Sequence, residues 1–157
     1  MSDLSSSAKQ SFKSALVSAK QIVTSELELT ESLMMQMASE APPGIAERLQ
    51  HIMRRKGKRI RSTLLSLVAS SGKKDLERTA HACAGIELLH LASLVHDDII
   101  DKTDIRRGVK TAHEEWGNQI AVLIGDYLLS QAMRCVLSDP DKRTLEILSQ
   151  QTGLIGT

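Results

Sequence analysis

Apolar residues recur at Leu16, Ile22, Val23, Leu27, Leu29, Leu33 and Met37, with polar positions between them. That spacing predicts helix from about Ser7 to Ser39, and the period is irregular enough to divide the stretch in two. Ala41-Pro42-Pro43-Gly44 stops it. A short helix follows, Ile45 to about Met53, then a basic stretch, then the apolar run Leu64 to Ala69. Ser70-Ser71-Gly72 breaks the chain again. Asp75 is placed to cap a long helix reaching about Asp101, roughly 40 Å at ~1.5 Å per residue. That helix is apolar almost all round, through Ala84, Ile86, Leu88, Leu91, Val95 and Ile99, which is the pattern of a helix inside a bundle. A second apolar helix is predicted from about Asn118 to Leu137. Ser138-Asp139-Pro140 ends it, and Pro140 suits the first position of a last helix over 141–157. Nothing reads as a sheet, so the expected fold class is all-α.

Composition narrows this picture. The chain has 157 residues and a net charge of +1, with 41% hydrophobic and 25% charged residues. These proportions suit one domain with a packed core and argue against disorder. Near-neutral charge excludes nucleic-acid binding by bulk charge. No uninterrupted apolar run approaches the ~20 residues of a membrane span, and MSDLSSSAKQSFK has no apolar stretch behind a basic start, so neither a span nor a signal peptide is expected. Two cysteines, Cys83 and Cys135, do not make a disulfide framework, and a cytoplasmic location is the expectation.

Four constellations carry chemistry. Asp97, Asp98 and Asp101 sit at the end of the long helix, with Asp104 shortly after. Asp97 and Asp101 share a face at i,i+4, and at about 6 Å and an effective dielectric near 20 two such charges repel by about 3 kcal/mol. A divalent cation removes that cost, and carboxylates on one face suit Mg²⁺. The same pattern also reads as a solvated acidic helix end. The second cluster is Arg54–Arg61, with six Lys or Arg in eight residues. Gly57 permits a turn there, so Lys58 and Arg61 can converge on a phosphate; a solvated turn is the plainer reading. Third come Arg106 and Arg107. Fourth is His90, seven residues before Asp97 and on the same face, which alone reads as an ordinary core histidine. Asp126, inside an apolar helix, is either a paired core residue or a neighbour of the acidic face. Glu114-Glu115 reads as a solvated pair. Together, a metal-binding cluster flanked by two anion-binding clusters is what a site handling two diphosphates needs.

The blocks GKRIR at 57–61, ELLHLASLVHDDIID at 87–101, RRG at 106–108 and GNQIAVLIGDYLLSQA at 117–132 resemble the trans-isoprenyl diphosphate synthases, the polyprenyl synthetases. The resemblance covers 57–132, behind a helical segment at 1–44. It implies an antiparallel helical bundle of the isoprenoid synthase type, present here as about half of the full fold, so that 1–157 is the N-terminal part of a synthetase domain. It also implies Mg²⁺-dependent 1′-4 condensation of isopentenyl diphosphate with an allylic prenyl diphosphate. Lys58, Arg61, His90 and Arg107 then bind isopentenyl diphosphate, and Arg106 the allylic diphosphate. Asp97, Asp98 and Asp101 form the first aspartate-rich motif, with Asp97 and Asp101 as direct Mg²⁺ ligands.

Ala92 and Ser93 stand one turn before the aspartates, where short-product members carry bulky aromatics. Their small size implies a medium- or long-chain product. Ser62 and Lys110 stand where the family often has proline. The second aspartate-rich motif of the family has no counterpart in this sequence, so the chain alone is expected to be inactive. It fits either the N-terminal half of a homodimeric enzyme or a small subunit of a heteromeric one.

Overall fold

A computed structural model describes residues 2–54, 57–73, 75–141 and 143–155. Arg55 and Lys56 of the basic run and the last two residues of the predicted final helix lie outside them. The first predicted helix is indeed two, α1 (Ser2–Ile22) and α2 (Thr24–Ser39). The break falls at Val23, which is fully buried. Next to it the Thr24 hydroxyl donates back to the carbonyls of Lys20 and Gln21, the kind of local bond that competes with a helical ladder. α3 (Ala46–Arg54) and α4 (Ile60–Ala69) follow.

The long helix α5 spans Leu76–Ile100, and the Asp75 carboxylate caps it by accepting from the Arg78 amide at 3.0 Å. α7 (Asn118–Leu137) and α8 (Arg143–Ile155) complete the predicted set. Pro140 lies in the turn before α8 rather than at its first position. There Asp139 accepts from the Asp141 amide and the Thr144 hydroxyl and pairs with Arg78 at 3.0 Å. The pairing ties the turn to the start of α5.

A hairpin and a short helix escape the periodicity. β1 (Ile105–Arg106) and β2 (Val109–Lys110) pair antiparallel, Ile105 opposite Lys110 and Arg106 opposite Val109. Arg107 and Gly108 form the turn between them with φ of 54° and 79°, left-handed values whose twist matches a tight hairpin. A two-residue ladder is too short for alternation to register, so the expectation of no sheet is corrected here. The short helix is the five-residue α6 (Ala112–Trp116).

α5 is the hub. It packs most extensively on α7, then on α2 and α4. The inner row of α7, Ala121, Ile124, Leu128, Ala132 and Cys135, meets Ala84, Leu88, Ala92 and Val95 of α5, with Met34 and Ala38 of α2 in the same core. Small residues let the two long helices come close: a Cβ on Gly85 would stand 3.2 Å from the Cys135 Cβ. Gly125 lies directly under the His96 ring, leaving no room for a side chain. By length and composition α7 is apolar enough to cross a membrane, although Asp126, Ser130 and Arg134 interrupt its apolar run. Its inner row packs against α5 instead.

Candidate functional site

The basic residues converge. Lys58, Arg61, His90 and Arg107 line one cleft of about 720 Å³, together with Lys20, Arg59 and Glu87 and an apolar floor that includes Leu91 and Leu94. The cations come from α1 (Lys20), the loop before α4 and its first turn (Lys58, Arg59, Arg61) and the hairpin turn (Arg107), and the middle of α5 adds the His90 imidazole. His90 reaches the cleft because it is three residues after Glu87 and four before Leu94, on one stripe of α5. Glu87 is buried. Its Oε1 accepts from the amide and hydroxyl of Ser62, at 3.2 and 2.6 Å, and its Oε2 from Arg59 at 3.3 Å. Partial burial, then the Arg61 guanidinium, push the His90 imidazole below its ordinary value near 6.5, and Glu87 opposes them. His90 is therefore a neutral ring at pH 7, able to donate or accept one hydrogen bond without adding charge.

The acidic end is built differently. Asp97 and Asp101 are exposed, and no cation among the described residues pairs with them at salt-bridge distance. Asp98 points elsewhere. It is buried, and its Oδ1 accepts from Nε of Arg106 at 2.7 Å, with Nη2 of the same guanidinium 2.7 Å away in an ion pair. This bond, first among the causes, raises the Arg106 pKa and keeps the guanidinium charged. Asp98 and Arg106, expected on the metal and on the allylic diphosphate, are thus each other's partners. They line a second cleft of about 310 Å³. Arg107, Leu91 and Leu94 belong to both clefts.

Two exposed carboxylates one turn apart at a helix end, without neutralising cations, fit a hydrated divalent ion of the Mg²⁺ kind, which keeps several waters. The three aspartates do not draw their oxygens into one tight group. Among the described residues, the trio that does is Asp104, His113 and Glu114, with ligand atoms within 4.8 Å of one another. Glu114 belongs to that trio and Glu115 lies 3.8 Å from the His51 ring, and both are exposed, as a solvated pair is. Ser93 is exposed one turn before Asp97, its hydroxyl on the His90 carbonyl, whereas Ala92 is buried in the core against α7. Asp126 is exposed and lies 3.5 Å from the His96 Nε2, on the side of α7 that meets the last turn of α5.

The family model described as polyprenyl synthetase matches residues 42–156. The chain belongs to the polyprenyl synthetase family. It is 38% identical over 120 residues to heptaprenyl diphosphate synthase component 2 of Geobacillus stearothermophilus, covering 76% of this chain and 37% of that one. It is 40% identical over 107 residues to nonaprenyl diphosphate synthase of Mycobacterium tuberculosis, covering 68% and 32%. Among solved structures, decaprenyl diphosphate synthase of Rhodobacter capsulatus superposes with a TM-score of 0.82 at 29% identity, over 90% of this chain and 44% of that one. Polyprenyl synthase of Caulobacter crescentus, solved with calcium and isoprenyl diphosphate, gives 0.83 at 26%, over 90% and 43%. The all-α isoprenoid synthase fold is the shared one. The chain spans about two-fifths of the length of these family members.

Three features of the site had no clear signal in the sequence. Lys20 reaches the cleft from α1, far away in the chain. Glu87 looked like one more helix residue. His96, seated on Gly125, sits beside Asp97 and is invisible without the fold.

Proposed function

We propose that this chain is the diphosphate-binding half of a prenyltransferase that condenses isopentenyl diphosphate with an allylic prenyl diphosphate to give a medium- or long-chain all-trans polyprenyl diphosphate. The observation that carries the reading is the convergence of Lys58, Arg61, His90 and Arg107 on one cleft. In this reading Lys58, Arg61 and Arg107 hold the diphosphate of isopentenyl diphosphate through charge-assisted hydrogen bonds, and neutral His90 adds a further hydrogen bond. Leu91 and Leu94 give the substrate's hydrocarbon a dry wall, which excludes water from a reacting carbocation. Arg106, held by Asp98, faces the allylic diphosphate in the adjoining cleft. Asp97 and Asp101 hold Mg²⁺, with Asp98 acting through Arg106. Bound there, the ion supplies positive charge to a leaving diphosphate.

Product length in this reading depends on Ser93, which lies on the Asp97 face, and on Ala92 through the packing of α5. A phenylalanine at Ser93 shortens the product. A phenylalanine at Ala92 does so too, at the cost of overpacking the core. The exposed apolar face of α7, with Leu123 and Leu137, is the surface for a second copy in a homodimer. Two buried free thiols, Cys135 pushed by burial up to about 11, suit a reducing cytoplasm.

A second reading is that the chain is a catalytically incomplete small or regulatory subunit of a heteromeric synthase. It is favoured by two relatives that are themselves named as a component 2. Native mass spectrometry separates the two: a heterologous larger partner supports the subunit, a self-pair the homodimer. Calorimetric titration of isopentenyl diphosphate tests the site itself. Binding that Lys58→Ala and Arg61→Ala each weaken is expected; absence of binding to the unaltered chain overturns the reading.

A further inference from the structure

Glu87 is a carboxylate buried beneath a cleft built to attract anions. Its side chain is 9% exposed, and its hydrogen bonds all go to one short segment. Oε1 takes the amide and hydroxyl of Ser62, and Oε2 takes the Arg59 guanidinium. Removing a charge from water is costly, and an apolar residue would serve packing alone as well or better. One bond falls on a strained residue and the other two fall three residues after it. Arg59 has φ 51° and ψ 37°, a left-handed conformation that side-chain-bearing residues disfavour. Arg59 also approaches Glu31 of α2 at 3.9 Å, so carboxylates on two helices face it. Lys58 precedes this strained residue, and Arg61 lies between it and Ser62. Two long cationic side chains hold one anion well only when the backbone that carries them is already in place.

We propose that Glu87 and Ser62 are positioning residues: together they clamp segment 58–62 so that Lys58 and Arg61 face the diphosphate cleft. This rests on the reading of that cleft given above. Ser62 gives the clamp a feature of this chain's own. A proline there, frequent in the family, has neither an amide hydrogen nor a hydroxyl to offer Glu87.

The clamp makes a prediction opposite in sign to simple electrostatics. Glu87 places a negative charge beside an anion site, so neutralising it should tighten anion binding if charge were all that mattered. The clamp predicts weakening. The measurement is titration calorimetry of inorganic pyrophosphate into the whole chain, without metal, for the unaltered protein, Glu87→Gln, Ser62→Ala and Lys58→Ala, with a thermal melt of each. Glu87→Gln keeps the shape and one acceptor for Ser62 but cannot accept from Arg59. We expect it to weaken binding roughly ten-fold, with Ser62→Ala weaker by roughly three-fold. Pyrophosphate binding equal to or tighter than the unaltered chain in Glu87→Gln overturns the clamp, and the loss in Lys58→Ala then keeps the cleft reading intact. Should Glu87→Gln fail to fold, Ser62→Ala decides: unchanged affinity overturns the proposal. If the unaltered chain binds no pyrophosphate, or Lys58→Ala binds it undiminished, the cleft reading falls and takes the clamp with it.

Discussion

The two charged regions along α5, the basic cleft at its middle and the aspartates at its C-terminal end, are prepared to different degrees. At the basic cleft the backbone that carries the cations is held before any anion arrives: Glu87 bonds Arg59 and Ser62, and Arg107 sits in a tight turn. At the acidic end only Asp98 is committed, to Arg106, while Asp97 and Asp101 stand open to water. The contrast follows from how each charge is neutralised. A cluster of cations without its ligand needs buried acids such as Glu87 to hold it together. A pair of carboxylates that takes a hydrated cation needs room for water and so stays exposed. Pre-organisation on one side and openness on the other suit one diphosphate held by protein and another held through metal.

The most damaging change to this contrast is at the basic cleft. Lys58→Ala or Arg61→Ala is expected to weaken pyrophosphate binding roughly 10- to 100-fold, the scale of one charge-assisted contact, as read by calorimetry. At the other end, Asp97→Asn together with Asp101→Asn should abolish any Mg²⁺ enhancement of bisphosphonate binding and leave metal-free pyrophosphate binding unchanged. Enhancement that survives would show that the acidic end is not a metal face.

Gly125→Ala drives a methyl into the His96 ring beside the acidic end. Overpacking of this kind costs about 1–3 kcal/mol, measurable by urea unfolding. Asp98→Asn leaves Arg106 with a weaker acceptor. Since Arg106 is partly exposed and screened, the loss is smaller, about 1 kcal/mol in the same assay.

The smallest effect concerns His90. Burial first, and Arg61 next, hold its folded pKa below the usual value near 6.5, so the unfolded chain takes up this proton at higher pH than the folded one. Stability from this group is complete above the ordinary value. It declines as pH falls through that value and levels off below the folded one. His90→Gln should flatten that part of a stability-against-pH curve, and an unchanged slope would remove His90 from the account.

Much of the helical frame was legible in the chain because long helices announce themselves by period. α5 and α7 lie within a residue or two of where the apolar pattern puts them, and Asp75 caps as its type and position suggest. The hairpin at 105–110 and α6 were illegible because neither is long enough to show a period. At the site, Lys58, Arg61, His90 and Arg107 are what the resemblance to the synthetases implies, and the fold brings them to one cleft. The partnership of Asp98 with Arg106 was not readable, since eight residues of sequence do not reveal that a turn folds the guanidinium back. Nor was Glu87: a glutamate three residues before a histidine has no sequence mark of burial. Its role comes from Ser62, which packs against it from twenty-five residues away.

Arg107 stands in the wall common to both clefts, at the tip of a turn only two residues long. One guanidinium cannot give its full set of donors to anions on both sides at once. Filling either hollow therefore alters what the other is offered, and by reciprocity each ligand changes the other's affinity by the same factor. Coupling through that shared guanidinium requires no helix to move.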